Sequence, residues 1–140
     1  MTDIKIGLFG LGTVGQALYE VIGHAANTHA TISRVCVRSL NKKRAIEIPD
    51  DKLTDSPSML LDDPDINLIV EVIDEAEASF NIVSEALKKG KNVVSGNKAM
   101  LAKHLPELIE LQKHTGKALL YDASSCGSIP VIRNLEEYYD

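Results

Sequence analysis

The stretch Ile4-Lys5-Ile6-Gly7-Leu8-Phe9-Gly10-Leu11-Gly12-Thr13-Val14-Gly15-Gln16-Ala17-Leu18 decides how the rest of the chain is read. An apolar run ends in glycines at 10, 12 and 15, and a helical pattern starts at once. That order suits a strand, a tight turn and a helix whose first turn faces a pyrophosphate. Gly10 permits the turn. Gly12 removes a side chain where phosphate would approach the backbone. Gly15 lets the helix pack close to the strand. The helix start adds unpaired N–H groups and a partial positive charge. The segment Gly10, Leu11, Gly12, Thr13, Val14, Gly15 is therefore read as dinucleotide-binding.

Working outward, the bulk numbers set bounds. With 140 residues the chain is expected to form one domain with one core. It is 44% hydrophobic and 25% charged, an ordinary soluble composition. A net charge of −5 speaks against non-specific nucleic-acid binding. No apolar run reaches the roughly 20 residues that span a bilayer, so no membrane partner is expected. Met1-Thr2-Asp3 leads straight into a strand, so no leader is expected either. Cys36 and Cys126 stand far apart without metal spacing, which fits a reducing cytoplasm. Cys36 itself reads as a small buried strand residue.

Strands and helices alternate along the chain. Strands are expected at 4–9, 32–37, 68–73, 92–95 and 117–121. Helices are expected over 14–24, 58–61, 78–89 and from about 98 through 111, with Gly116 as the stop, and again after Pro130. The segment 46–54, with Pro49-Asp50-Asp51, reads as loop, and Ser56-Pro57 as a helix start. Asp62-Asp63-Pro64-Asp65 reads as a solvated turn rather than a metal site. The third strand is apolar apart from Glu71. The pattern predicts an α/β fold: a doubly wound parallel sheet of the Rossmann dinucleotide-binding type.

In such sheets ligands bind at the carboxyl ends of the strands. Arg38 opens a basic cluster after the second strand, where an acid would favour NAD. No acid is there, so NADP is the expected cofactor, with NAD the alternative. Ser95 ends the fourth strand on the same edge and is expected, with Lys98, to contact the cofactor. Lys98 follows it, placed to hold a carbonyl oxygen and stabilise or protonate an alkoxide during hydride transfer. The small-residue loop 122–128 opens on this edge as well.

Several runs together resemble homoserine dehydrogenase: Gly10-Leu11-Gly12-Thr13-Val14-Gly15, Leu53-Thr54-Asp55 through Asp62-Asp63-Pro64-Asp65-Ile66, and Val70-Glu71-Val72-Ile73. Asn97-Lys98-Ala99 with Leu101-Ala102, and Tyr121-Asp122-Ala123-Ser124 through Ile129-Pro130, complete the likeness, which covers nearly the whole chain. The resemblance implies interconversion of L-homoserine and aspartate 4-semialdehyde with NADPH or NADH. It implies that Lys98 is the active-site lysine of the nucleotide domain, contacting cofactor and substrate, and that Arg38 meets the 2′-phosphate. It also implies a sodium ion held by Asp122, Ser125, Gly127 and Ile129.

Departures from the family pattern are local. Asp74-Glu75-Ala76 stands where small residues are usual, placing two acids near the nucleotide, and Asp122 replaces a glutamate. The resemblance further implies a nucleotide domain over 1–128 and a helix over 129–140 leading to a substrate and dimerisation domain. The whole protein would then be a homodimer or larger, and these 140 residues alone would bind cofactor without completing turnover. Two other readings stand beside this one. Another amino-acid or sugar dehydrogenase usually carries Glu-Lys-Pro where Asn97-Lys98-Ala99 is found. A nucleotide-sensing module would use the site without chemistry.

Overall fold

A computed structural model of the chain describes residues 3–25, 29–121 and 137. The first strand, β1 (Ile4–Phe9), is followed by α1 (Thr13–His24) and β2 (Ala30–Cys36). Next come β3 (Leu53–Thr54), α2 (Ser58–Leu61), β4 (Leu68–Glu71) and α3 (Ala76–Lys88). The series ends with β5 (Asn92–Ser95), α4 (Lys98–Thr115) and β6 (Leu119–Leu120). All six strands are parallel, in the order β3-β2-β1-β4-β5-β6. The order reverses between β1 and β4, which is the switch point expected of a doubly wound sheet.

The expected elements are present, with shifted ends. The segment 46–54 is not all loop: Leu53 and Thr54 pair with Val35 and Cys36 as an edge strand. Two residues carry no readable alternation, so this strand had no sequence signal. The third expected strand stops at Glu71 instead of Ile73 because the backbone turns there onto the Glu71 carboxylate. Helix α3 starts at Ala76, two residues early, capped by Glu75. Ser56 does not cap α2: its hydroxyl meets that of Ser58, 2.9 Å away. Helix α4 runs on to Thr115, with Pro106 inside it. The helix expected after Pro130 lies outside the described residues.

The core has two layers. On one face Phe9, Ile69, Val93 and Leu119 pack under α2, α3 and α4 with Leu87, Met100 and Leu108. On the other, Ile6, Leu8, Ile32 and Val35 meet Leu18, Tyr19 and Ile22 of α1. Burial on both faces explains why the strands read as continuous apolar runs. Cys36 is buried as expected, and burial, with Asp55 nearby, pushes its thiol up to about 11. It is an inert core residue.

The register fixes where function can sit. Thr54, Cys36, Phe9, Glu71 and Ser95 are successive partners across five strands, forming one row at the carboxyl edge. The loops carrying Arg38, Gly10, Val72 and Gly96 all begin just beyond this row. Among the described residues no helix is long and apolar enough to cross a membrane.

Candidate dinucleotide site

The glycine turn is sterically determined. Gly10 has φ +96°, and a Cβ there would stand 2.9 Å from the Val72 carbonyl oxygen. At Gly15 a Cβ would lie 2.2 Å from the Gly10 carbonyl oxygen, closer than any contact allows. The start of α1 is thereby pressed against the end of β1. At Gly12 a Cβ would meet nothing within 4 Å, so the backbone there opens outward. Gly12 also precedes α1 without any side-chain cap, leaving the first N–H groups of the helix aimed at that open side. Thr13 and Val14 are exposed beside it. A cradle of uncapped N–H groups with no side chain over it fits a pyrophosphate.

Toward β2 the basic cluster divides. Arg44 donates to the carbonyls of Lys42 at 2.9 Å and Leu40 at 3.2 Å, and to that of Ser39 at 2.5 Å. It staples its own loop. Arg38 is exposed and near enough to Glu75 of the β4–α3 loop for their charges to interact, without an ion pair between them. Glu75 caps α3: its carboxylate accepts from the N–H groups of Glu77 at 2.9 Å and Ala78 at 2.6 Å. These bonds chiefly, with a smaller contribution from Arg38, hold its carboxyl below the usual range. The acid at this position therefore has a structural task, capping α3.

Toward β5 the site rests on a buried charge. Glu71 is completely buried. One carboxylate oxygen accepts from the Ile73 N–H at 2.8 Å. The other accepts from the hydroxyls of Ser79 and, at 2.7 Å, Ser95. Ser95 in turn accepts from the Asn97 N–H at 3.2 Å. Asn97 donates its side-chain amide to the Ile73 carbonyl at 3.0 Å, and its Oδ1 accepts from the Met100 N–H at 2.9 Å, capping α4. Lys98 is the first residue of α4 and is exposed; among the described residues its side chain makes no hydrogen bond or ion pair.

Of the residues read from the sequence, the structure brings the glycine turn, Arg38 and Lys98 to one edge. Ser95 lies beneath that edge, fully buried, with its hydroxyl occupied by Glu71 and Asn97. Asp122, Ser125, Gly127 and Ile129, expected to hold sodium, lie outside the described residues. Among the described residues no three His, Cys, Asp or Glu side chains gather as a metal site. Asp62 instead pairs with Lys89, and Asp63 accepts from the Asp65 N–H at 2.9 Å, as a turn would. Sequence reasoning missed Glu71. The available signal was an acid inside an otherwise apolar parallel strand, which burial obliges to find donors.

Comparison with known proteins agrees with this geometry. The family described as homoserine dehydrogenase, NAD binding domain, matches residues 10–122. The homoserine dehydrogenase of Bacillus subtilis is 36% identical over 98% of this chain, and that of Synechocystis 34% over 96%. A crystal structure of a homoserine dehydrogenase from Thiobacillus denitrificans superposes with a TM-score of 0.85 at 34% identity, covering 96% of this chain. The chain spans about a third of each of these relatives, 33%, 32% and 32% respectively. It belongs to the homoserine dehydrogenase NAD-binding domain family.

Proposed function

We propose that the chain is the NADP(H)-holding part of an enzyme that interconverts L-homoserine and aspartate 4-semialdehyde. The observation that carries this reading is the strand–glycine–helix cradle of residues 9–15 with Lys98 on the same sheet edge. Family membership supports the substrate. The glycine turn and the start of α1 would hold the pyrophosphate. Arg38, at the end of β2, would meet the adenosine 2′-phosphate and favour NADP over NAD. The loops after β4 and β5 would then flank the nicotinamide end. When bound, the nicotinamide supplies or accepts the hydride.

Lys98 would act on the substrate oxygen. Its ammonium, donating to the carbonyl oxygen, stabilises the negative charge that develops as the aldehyde becomes an alcohol. It can also deliver the proton that the alkoxide needs, and take it back in the reverse direction. Its place at the first turn of α4, above a braced N-cap, gives it a fixed origin with a free tip. A sodium ion at Asp122, Ser125, Gly127 and Ile129 remains part of the same proposal and rests on the resemblance alone.

The test replaces Lys98 with alanine in a protein joining this domain to the rest of the family's length. At saturating cofactor, homoserine oxidation should fall by at least about a hundredfold, the usual weight of a general acid–base group. An unchanged rate would remove Lys98 from the chemistry, and a site that only senses nucleotide would give that result.

A further inference from the structure

We propose that Glu71 is a positioning residue: its buried carboxylate, acting through Ser95 and Asn97, sets the turn that presents Lys98 to the nicotinamide half of the cofactor. The inference rests on the functional reading above and deepens it.

Three observations carry it. First, Glu71 is completely buried within a parallel strand, yet among the described residues no cation pairs with it. Its donors are an N–H and two hydroxyls. A carboxylate costs several kcal/mol to bury in a real protein, so an apolar residue at this register would be expected if packing alone were required. Second, the donors come from three places that must be fixed together. Ile73 belongs to the loop after β4, Ser79 to α3 and Ser95 to the end of β5. Third, the chain of contacts continues to α4. Ser95 holds the Asn97 N–H, Asn97 returns to the Ile73 carbonyl, and its Oδ1 caps the helix that begins with Lys98. Met100, in the first turn of α4, places its sulfur 3.0 Å from the Ser79 hydroxyl, so the helix is gripped from both sides.

A ring of bonds therefore runs Glu71–Ser95–Asn97–Ile73 and back to Glu71. It joins the loops after β4 and β5, which lie on the side of the switch point away from Arg38. Arg38 sits on the β2 side, where the adenosine end would lie. The network should accordingly govern one half of the cofactor and not the other.

That asymmetry gives the test. The 140-residue chain is titrated with NADPH and with 2′,5′-ADP, which carries only the adenosine half. Ser95→Ala cuts the link between carboxylate and turn. It should weaken NADPH about tenfold, the worth of one charge-assisted contact at about 1.5 kcal/mol, and leave 2′,5′-ADP within twofold. Ser95→Thr, which keeps the hydroxyl, should restore NADPH binding. Glu71→Gln keeps the shape but gives the serines an N–H face in place of an acceptor, and should reproduce the Ser95→Ala pattern. Lys91→Met, at the opposite edge, controls for lost stability and should leave both affinities unchanged. If Ser95→Ala weakens both ligands equally, or neither, the positioning role is overturned even should Glu71→Gln fail to fold. If wild-type chain binds neither ligand, the failure lies with the dinucleotide reading itself.

Discussion

The two edges of this sheet each bury a charged side chain, and they use it differently. At the carboxyl edge Glu71 gathers donors from a loop, a helix and a strand end. At the amino edge Lys91, also buried, donates to the carbonyls of Asp63 at 2.5 Å and Ile66 at 2.6 Å. Those carbonyls belong to the loop that feeds β4, so Lys91 closes a connection and leads no further. Asn67 works likewise, accepting from the Lys5 N–H at 3.0 Å and donating to the Asp3 carbonyl at 2.8 Å. The amino edge is pinned side chain to backbone. The carboxyl edge is braced underneath and open above, with Lys98 and Arg38 exposed on top. Buried polarity at one end serves the fold alone, whereas at the other it also braces the turn from which Lys98 starts.

The strongest way to break this contrast is at Gly15. A methyl group there would sit 2.2 Å from the Gly10 carbonyl, so Gly15→Ala must force the turn away from the helix. Stability should fall by about 1–3 kcal/mol, as for other overpacked sites. NADPH affinity should fall by a larger factor than in any amino-edge variant, at least about a hundredfold, because the lost geometry is that of the phosphate cradle itself. Calorimetric titration alongside urea unfolding separates the two losses. Retained affinity in a destabilised protein would place the phosphate elsewhere.

Next in size is Lys91→Met. A buried and a half-buried carbonyl lose their donor, and stability should drop by about 1–3 kcal/mol, with cofactor affinity untouched. A pH scan sharpens the attribution. Burial holds the Lys91 amine below its usual range. Between that lowered value and the ordinary lysine range, the unfolded chain binds more protons than the folded one, so wild-type stability rises with pH there. Lys91→Met should lack that rise, since no amine remains to titrate. A variant that keeps the alkaline rise would show that another group is responsible.

How much of this was legible beforehand follows from the same contrast. The glycine turn announced itself because each glycine answers a local steric demand within a short window. The alternation of apolar runs and helical faces gave the parallel sheet for the same reason, and Gly116 closed α4 as read. Glu71 and Lys91 did not announce their roles. Apart from the Ile73 N–H two residues on, their partners lie 8, 24, 25 and 28 residues away, and they are hydroxyls or backbone carbonyls that occur everywhere. Strand β3 was invisible because it is an edge of two residues fixed by its neighbour. Glu75 was read only as a charge near the nucleotide. Its capping task depends on where α3 starts, and helix ends are set by the loop as much as by the sequence.

The smallest expected effect belongs to Glu75, and it separates two tasks that one carboxylate performs. As a cap, Glu75 accepts from two N–H groups at the start of α3, and its carboxyl is held low by them. A group with a lowered folded pKa stabilises the fold above the ordinary carboxylate range, and that contribution is lost as pH falls through the lowered value. Glu75→Gln keeps one acceptor but no charge. The wild-type advantage over it should be present at pH 7 and vanish on acidification, as followed by thermal unfolding. The second task is electrostatic. Glu75 interacts weakly with the charge of Arg38, the residue proposed to meet the 2′-phosphate, and would compete with that phosphate for the same guanidinium. Removing its charge should strengthen NADPH binding, leave NADH nearly unchanged, and do so by only about two- to fivefold, since solvent screens exposed charge pairs. The gain should shrink as salt is added. Equal gains for both cofactors would detach Glu75 from the 2′-phosphate. No gain in the presence of a measurable NADPH preference would show that Arg38 turns to the phosphate without releasing the acid.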